Sequence, residues 1–133
     1  MGYHAIKGNE YRWEERPSQH EGEPARQQSD VTTQAQLTQS RARIFRYPPG
    51  SRGRRHKNFE QEEVFVVLEG TLTMLLGEPP ERVDLPPQSV CVVETDTPLQ
   101  LFNAGGEEAV VFIYGAPPAT EQSEMLEDLT LDA

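Results

Sequence analysis

The chain has a single cysteine, Cys91, among 133 residues. No disulfide can therefore close within it, and no cysteine-based zinc site is available. Long apolar runs are missing as well: nothing approaches the ~20 residues that span a membrane, and the first thirty residues hold no stretch of signal-peptide length. A soluble, cytoplasmic protein with no membrane partner is expected. Basic side chains run out after residue 57, where Arg82 alone stands against sixteen acids, and the formal net charge is −10. That balance excludes a general affinity for nucleic acid, whose phosphates demand clustered Lys and Arg. Histidine is scarce too, with His4, His20 and His56 the full set.

What is present suits an all-β domain. A hydrophobic content of 35%, with 11 Pro and 10 Gly, is poor for a helical bundle but fits short strands joined by tight turns. Strand-like segments recur at 42–47, 64–68, 71–76, more weakly 83–85, then 90–93, 99–102 and 109–114. The second and third read as a hairpin turning at Glu69-Gly70, and the whole series predicts antiparallel pairing in a closed or sandwiched sheet. Residues 1–36 read as an N-terminal segment, partly extended or disordered. Its stretch 14–36 has almost nothing to bury and is expected to be loop, with Trp13 as an anchor. Residues 37–118 form the barrel, and 119–133 an acidic tail in which Met125, Leu126 and Leu129 fall at the spacing of one short helix.

The basic side chains are concentrated instead of spread. Residues 41–57 hold Arg41, Arg43, Arg46, Arg52, Arg54, Arg55 and Lys57 with no acid. This positive stretch leads into PGSRGRRHKNFEQEEVFVVLEG. There Gly50 is followed after five residues by His56, then Asn58 one residue on, Glu63 after four more, and Gly70 after six.

That spacing resembles the first motif of the cupin superfamily, Gly, five residues, His-x-His, three or four residues, Glu, six residues, Gly, with Asn58 in place of the second His. The second cupin motif is reduced to its Asn, here Asn103, and Leu99 stands where the resemblance places the fourth ligand, a His. The resemblance implies a single-domain cupin-type jelly-roll β-barrel of antiparallel strands, and a homodimer.

Alternate residues on a strand face the same way, so His56 and Asn58 point together, as do Glu63, Phe65 and Val67. If the barrel forms, that face is its interior, with Leu99 and Leu101 opposite. Asn58 offers an ion only a neutral amide oxygen and Leu99 nothing, so no cofactor is expected. A divalent transition metal, held by His56 and Glu63 in a rebuilt site, is the lesser alternative. The candidate ligand-binding residues are His56, Asn58, Glu63, Phe65, Leu99, Leu101 and Arg54, the last in a loop with Arg52 and Arg55 whose guanidinium groups would favour carboxylate or phosphate. Two functions remain open. One is a barrel binding a small molecule, anionic if those arginines face it. The other is an enzyme, either metal-dependent or a metal-free isomerase using His56 and Glu63.

Overall fold

The computed structural model describes residues 2–119 and 122–131. The described residues form two antiparallel sheets. The larger runs in the order β1 (Trp13–Arg16), β2 (Arg26–Asp30), β3 (Arg41–Tyr47), β10 (Ala109–Ala116), β5 (Glu62–Glu69) and β8 (Val90–Val93). The smaller runs β11 (Glu124–Met125), β4 (His56–Lys57), β9 (Leu99–Phe102), β6 (Leu72–Leu76) and β7 (Glu81–Leu85). One short helix, α1 (Val31–Gln34), follows β2 and begins at Asp30, whose carboxylate accepts from the Thr33 N–H.

Period-two alternation builds the interior. On β5, Glu63, Phe65 and Val67 are buried while Val64, Val66 and Leu68 face outward. Phe45 and Tyr47 of β3, Leu72 and Met74 of β6, Leu99 and Leu101 of β9, and Val111 and Ile113 of β10 complete one core between the sheets. Full burial of each large side chain stabilises the fold by about 1.5–3 kcal/mol. The all-β, jelly-roll expectation is met.

Three local expectations need correction. The turn at Glu69-Gly70 does not close a hairpin: β5 belongs to the larger sheet and β6 to the smaller, so the chain crosses between sheets there. Gly70 has φ +68, and a side chain on it would run into the Glu108 carbonyl and Ala109 Cα, so the crossing requires glycine. The partner of β6 is instead β7, in register from Leu72↔Leu85 to Leu76↔Glu81.

The polar stretch 14–36 is also not simply loop. β1 and β2 pair as a hairpin from Trp13↔Ser29 to Arg16↔Arg26, and β2 continues the sheet onto β3. These strands are held by backbone pairing and by cation–π contacts: the Arg46 guanidinium lies 3.8 Å over the Trp13 ring, and Arg26 lies 5.2 Å from Phe45 and 5.4 Å from Tyr47. Trp13 anchors the hairpin as expected.

The segment carrying Met125, Leu126 and Leu129 is extended instead of helical. Its backbone bonds go to other parts of the chain: the Leu126 N–H donates to the Arg55 carbonyl (2.9 Å) and the Leu129 N–H to Gln100 Oε1 (2.8 Å). Arg52 Nη1 donates to the Leu129 carbonyl (2.6 Å), and the Asp128 carboxylate accepts from the Arg55 N–H (2.8 Å) and from His20 Nε2 (2.7 Å). The segment is a strap across the loop that leads into β4.

Candidate functional site

A cavity of about 130 Å³ opens between the sheets. Phe45, Tyr47, Phe65, Leu101, Ile113 and Met125 give it apolar walls, and Arg16, Arg26, Gln28, Arg43, Arg54, His56 and Glu63 supply polar groups. Five of the expected residues, Arg54, His56, Glu63, Phe65 and Leu101, thus meet around one space. The structure places the other two elsewhere. Leu99 is fully buried in the core opposite His56 in the β4–β9 register, and Asn58 lines a neighbouring cleft while its amide reaches in to Glu63.

Glu63 organises the polar end. Asn58 Nδ2 donates to its Oε1 at 2.6 Å, His56 Nε2 lies 3.7 Å from the same oxygen, and Arg43 Nη2 lies 3.5 Å from Oε2. Burial is the largest influence on this carboxyl and pushes its pKa up. The contact with His56 and its charge, then the Arg43 guanidinium and the Asn58 amide, outweigh burial and hold it below the usual carboxylate range. Burial conversely lowers the Arg43 pKa, and the Glu63 charge offsets part of that.

The His56 tautomer follows from its partner. Nδ1 lies 3.1 Å from the Arg54 carbonyl, which can only accept, so Nδ1 carries a proton and the neutral ring keeps its lone pair at Nε2. Nε2 faces Glu63, and it is the protonated ring, with Nε2–H turned to Oε1, that lowers the Glu63 pKa.

Arg26 is seated by the residues around it. Its guanidinium stacks on Phe45 and Tyr47, and Nη1 donates to the Tyr47 hydroxyl at 3.2 Å. A Cβ on Gly53 would come within 2.9 Å of that hydroxyl and 3.3 Å of Nη1, so the missing side chain makes room for the pair. Arg26 Nε is buried without a hydrogen-bond partner among the described residues. The other loop arginines divide: Arg52 pairs with Glu23 at 3.0 Å and Arg55 with Glu78 at 2.8 Å, leaving Arg54 to the cavity.

Sequence reasoning missed Arg16, Arg26 and Gln28 because they come from the hairpin read as loop, and Met125 because it comes from the strap. Arg43, Phe45 and Tyr47 carried a usable signal, since they share one face of β3 by simple alternation.

The donor set can be tested against the ion that such barrels hold. Among the described residues no group of three or more His, Cys, Asp or Glu side chains comes together. His56 and Glu63 are two donors, the Asn58 amide is turned nitrogen-first to Glu63, and Leu99 presents hydrocarbon. These residues do not fit a first-row transition metal, which selects imidazole and carboxylate in larger number.

A family model described as a cupin domain matches residues 43–114, more than half of the chain. The chain belongs to the cupin family. No curated protein matches this cupin. Among solved structures it is similar to the polyketide cyclase RemF from Streptomyces resistomycificus, with a TM-score of 0.76 at 13% identity over 95% of this chain and 87% of that one. It is also similar to a predicted oxalate decarboxylase from Thermotoga maritima, with a TM-score of 0.73 at 14% identity over 86% of this chain and 100% of the other. A sugar phosphate isomerase from Silicibacter pomeroyi gives 0.70 at 20% identity, over 86% and 76%. At such identities the likeness concerns the fold. Among the described residues no helix is long and apolar enough to cross a membrane.

Proposed function

We propose that this cupin binds a small organic anion in its barrel cavity and does so without a metal ion. The observation that carries this reading is the charge around the cavity. In a chain of net charge −10, four arginines line it against Glu63 alone among the acids of the described residues. Glu63 is engaged with Arg43, whereas Arg16, Arg26 and Arg54 have no carboxylate partner among the described residues. Each charge-assisted hydrogen bond to a ligand carboxylate or phosphate would contribute about 1.5–3 kcal/mol. The aromatic and aliphatic walls would take the rest of the molecule.

The test is calorimetry with phosphate, benzoate and citrate on protein purified without an affinity tag, beside elemental analysis of the same sample. At least one anion should bind, with Arg26→Ala weakening it on the order of tenfold or more. Failure of all three to bind, indifference to Arg26→Ala, or a full equivalent of iron, manganese, nickel, copper or zinc would each sink the reading.

A second reading, proton transfer on the bound anion, is favoured by the placement of His56 on the cavity lining, with Nδ1 bound to the Arg54 carbonyl and Nε2 between the cavity and the Glu63 carboxylate, so that the ring can exchange a proton at Nε2. Nε2 would take a proton from carbon next to a carbonyl, the electron pair staying on the ligand as an enolate held by guanidinium groups, and would return the proton to carbon or oxygen. Phenylpyruvate is a suitable probe. Its tautomerisation, followed by enol absorbance, should be accelerated and should lose about 100-fold or more in His56→Ala; a rate equal to that of buffer would remove this reading while leaving the first.

We also propose the homodimer that family resemblance implies. β8 is a sheet edge, and its Val90 and Val92 side chains are 60% and 55% exposed. Sedimentation of Val90→Lys with Val92→Lys should show a monomer; an unchanged dimer would place the contact elsewhere, and a monomeric parent would remove the proposal.

A further inference from the structure

A second cleft adjoins the barrel cavity. Arg41, Arg54, Asn58, Gln122, Ser123 and Met125 contribute to its lining. Arg54 and Met125 belong to both spaces. The partition between them is β11, whose pairing with β4 sets Met125 opposite His56. Met125 is half exposed, and its unbranched thioether side chain adapts readily to a neighbour. A thin and pliable wall therefore divides two spaces that share one guanidinium.

The charges on the two sides match. On the barrel side stand Arg16 and Arg26, on the outer side Arg41, and between them Arg54. None of these four has a carboxylate partner among the described residues, although acids outnumber bases 22 to 12 in the chain. Arginines on both faces of one methionine, without a carboxylate partner among the described residues, are what a molecule with acidic groups at both ends would need. Two separate anions would compete for Arg54, whereas a tether lets one molecule use it from either side. Phe65 and Leu101 give the barrel side its apolar wall and Met125 borders both spaces, which suits a short apolar spacer.

We propose that the ligand is a dianion: one acidic group held in the barrel by Arg16 and Arg26, the other in the outer cleft by Arg41, with an apolar spacer passing Met125 beside Arg54. This rests on the reading that the barrel cavity takes an organic anion, and it names the class of that anion. The chemistry is shared by dicarboxylates and by phosphorylated carboxylates.

Calorimetry with straight-chain monocarboxylates and α,ω-dicarboxylates of equal carbon number, from five to eight carbons, tests it. One dicarboxylate length should bind about tenfold or more tightly than its matched monocarboxylate, because tethering raises the effective concentration of the second group. Arg41→Ala should abolish that gain while leaving monocarboxylate affinity within about twofold of the parent. Equal binding of the two series, or an Arg41→Ala effect of the same size on both, would overturn the dianion and leave the anion reading standing. If neither series binds while phosphate, benzoate or citrate does, this inference fails and the anion reading stands; if none of them binds, both fail. A thermal melt of Arg41→Ala checks that the variant is folded; Arg41 is exposed at the first position of β3, so the melt should match the parent. A lowered melt would be answered by Arg41→Gln, which keeps part of the aliphatic stem and a polar end without the charge and should lose the same gain.

Discussion

The barrel strands and the two terminal segments reach the same cavity by different physics. β3, β5 and β9 hold Phe45, Phe65 and Leu101 in place through a shared core with regular alternation. The N-terminal hairpin and the strap are polar, bury little, and are fastened by individual contacts: Arg46 on Trp13, Arg26 on Phe45 and Tyr47, and Asp128 between His20 and the Arg55 N–H. The family match covers residues 43–114, yet Arg16, Arg26, Gln28 and Met125 of the lining lie outside it. The barrel matched by the family model thus provides the shape of the cavity, and the segments outside that match add charge and cover to it.

Perturbing each region should separate these contributions. The largest effect is expected inside the barrel, from Glu63→Ala, which leaves the Arg43 guanidinium without its carboxylate partner and should cost about 3–5 kcal/mol in urea unfolding. A loss below about 1 kcal/mol would mean that the cluster around Glu63 is not coupled to the fold. Next is Gly70→Ala, where the left-handed backbone and the Glu108 carbonyl oppose a side chain; about 2 kcal/mol or more is expected by the same measurement.

At the strap, Asp128→Ala removes two hydrogen bonds and should cost about 1–2 kcal/mol, with faster amide exchange confined to residues near 124–129. Acid should imitate it. Burial pushes the Asp128 carboxyl up, but the Arg55 N–H, the His20 ring and the charges of His20 and Arg52 outweigh it and hold the group low. With a folded pKa below the unfolded value, its contribution is fully present above about pH 4 and is lost as pH falls through the folded value. Melting across that range should show the loss in the parent and a shallower one in Asp128→Ala. The smallest effect is expected at the hairpin, where Arg46→Ala removes the cation–π contact with Trp13 and should cost about 0.5–1 kcal/mol. A loss as large as that at Glu63 would erase the distinction between the two regions.

This contrast also explains which parts were legible in the sequence. Glu63, Phe65 and Val67 could be assigned to the interior because a buried strand face repeats every second residue. Gly70 was legible as a turn, but not as a crossing between sheets, since alternation tells which face a residue takes and not which strand pairs with it. The segments WEER and RQQSD contain one apolar residue, Trp13, so no hydrophobic period announces β1 and β2. Their pairing is decided by β3, far along the chain. The strap misled for the opposite reason: Met125, Leu126 and Leu129 have helical spacing, but Arg52, Arg55 and Gln100 supply the bonds that an isolated helix would make within itself. At the site, His56, Glu63 and Phe65 could be read from motif and alternation, while the arginines from distant strands could not.

The position of β10 has a consequence for how the protein is made. It is the central link of the larger sheet, pairing with β3 on one side and β5 on the other, yet it is the last long strand in the chain. Until residue 116 has left the ribosome, β1–β3 and β5–β8 are two unjoined halves with open edges. Such late, long-range closure slows folding and prolongs exposure to aggregation, so synthesis of this chain should be most vulnerable just before β10 emerges.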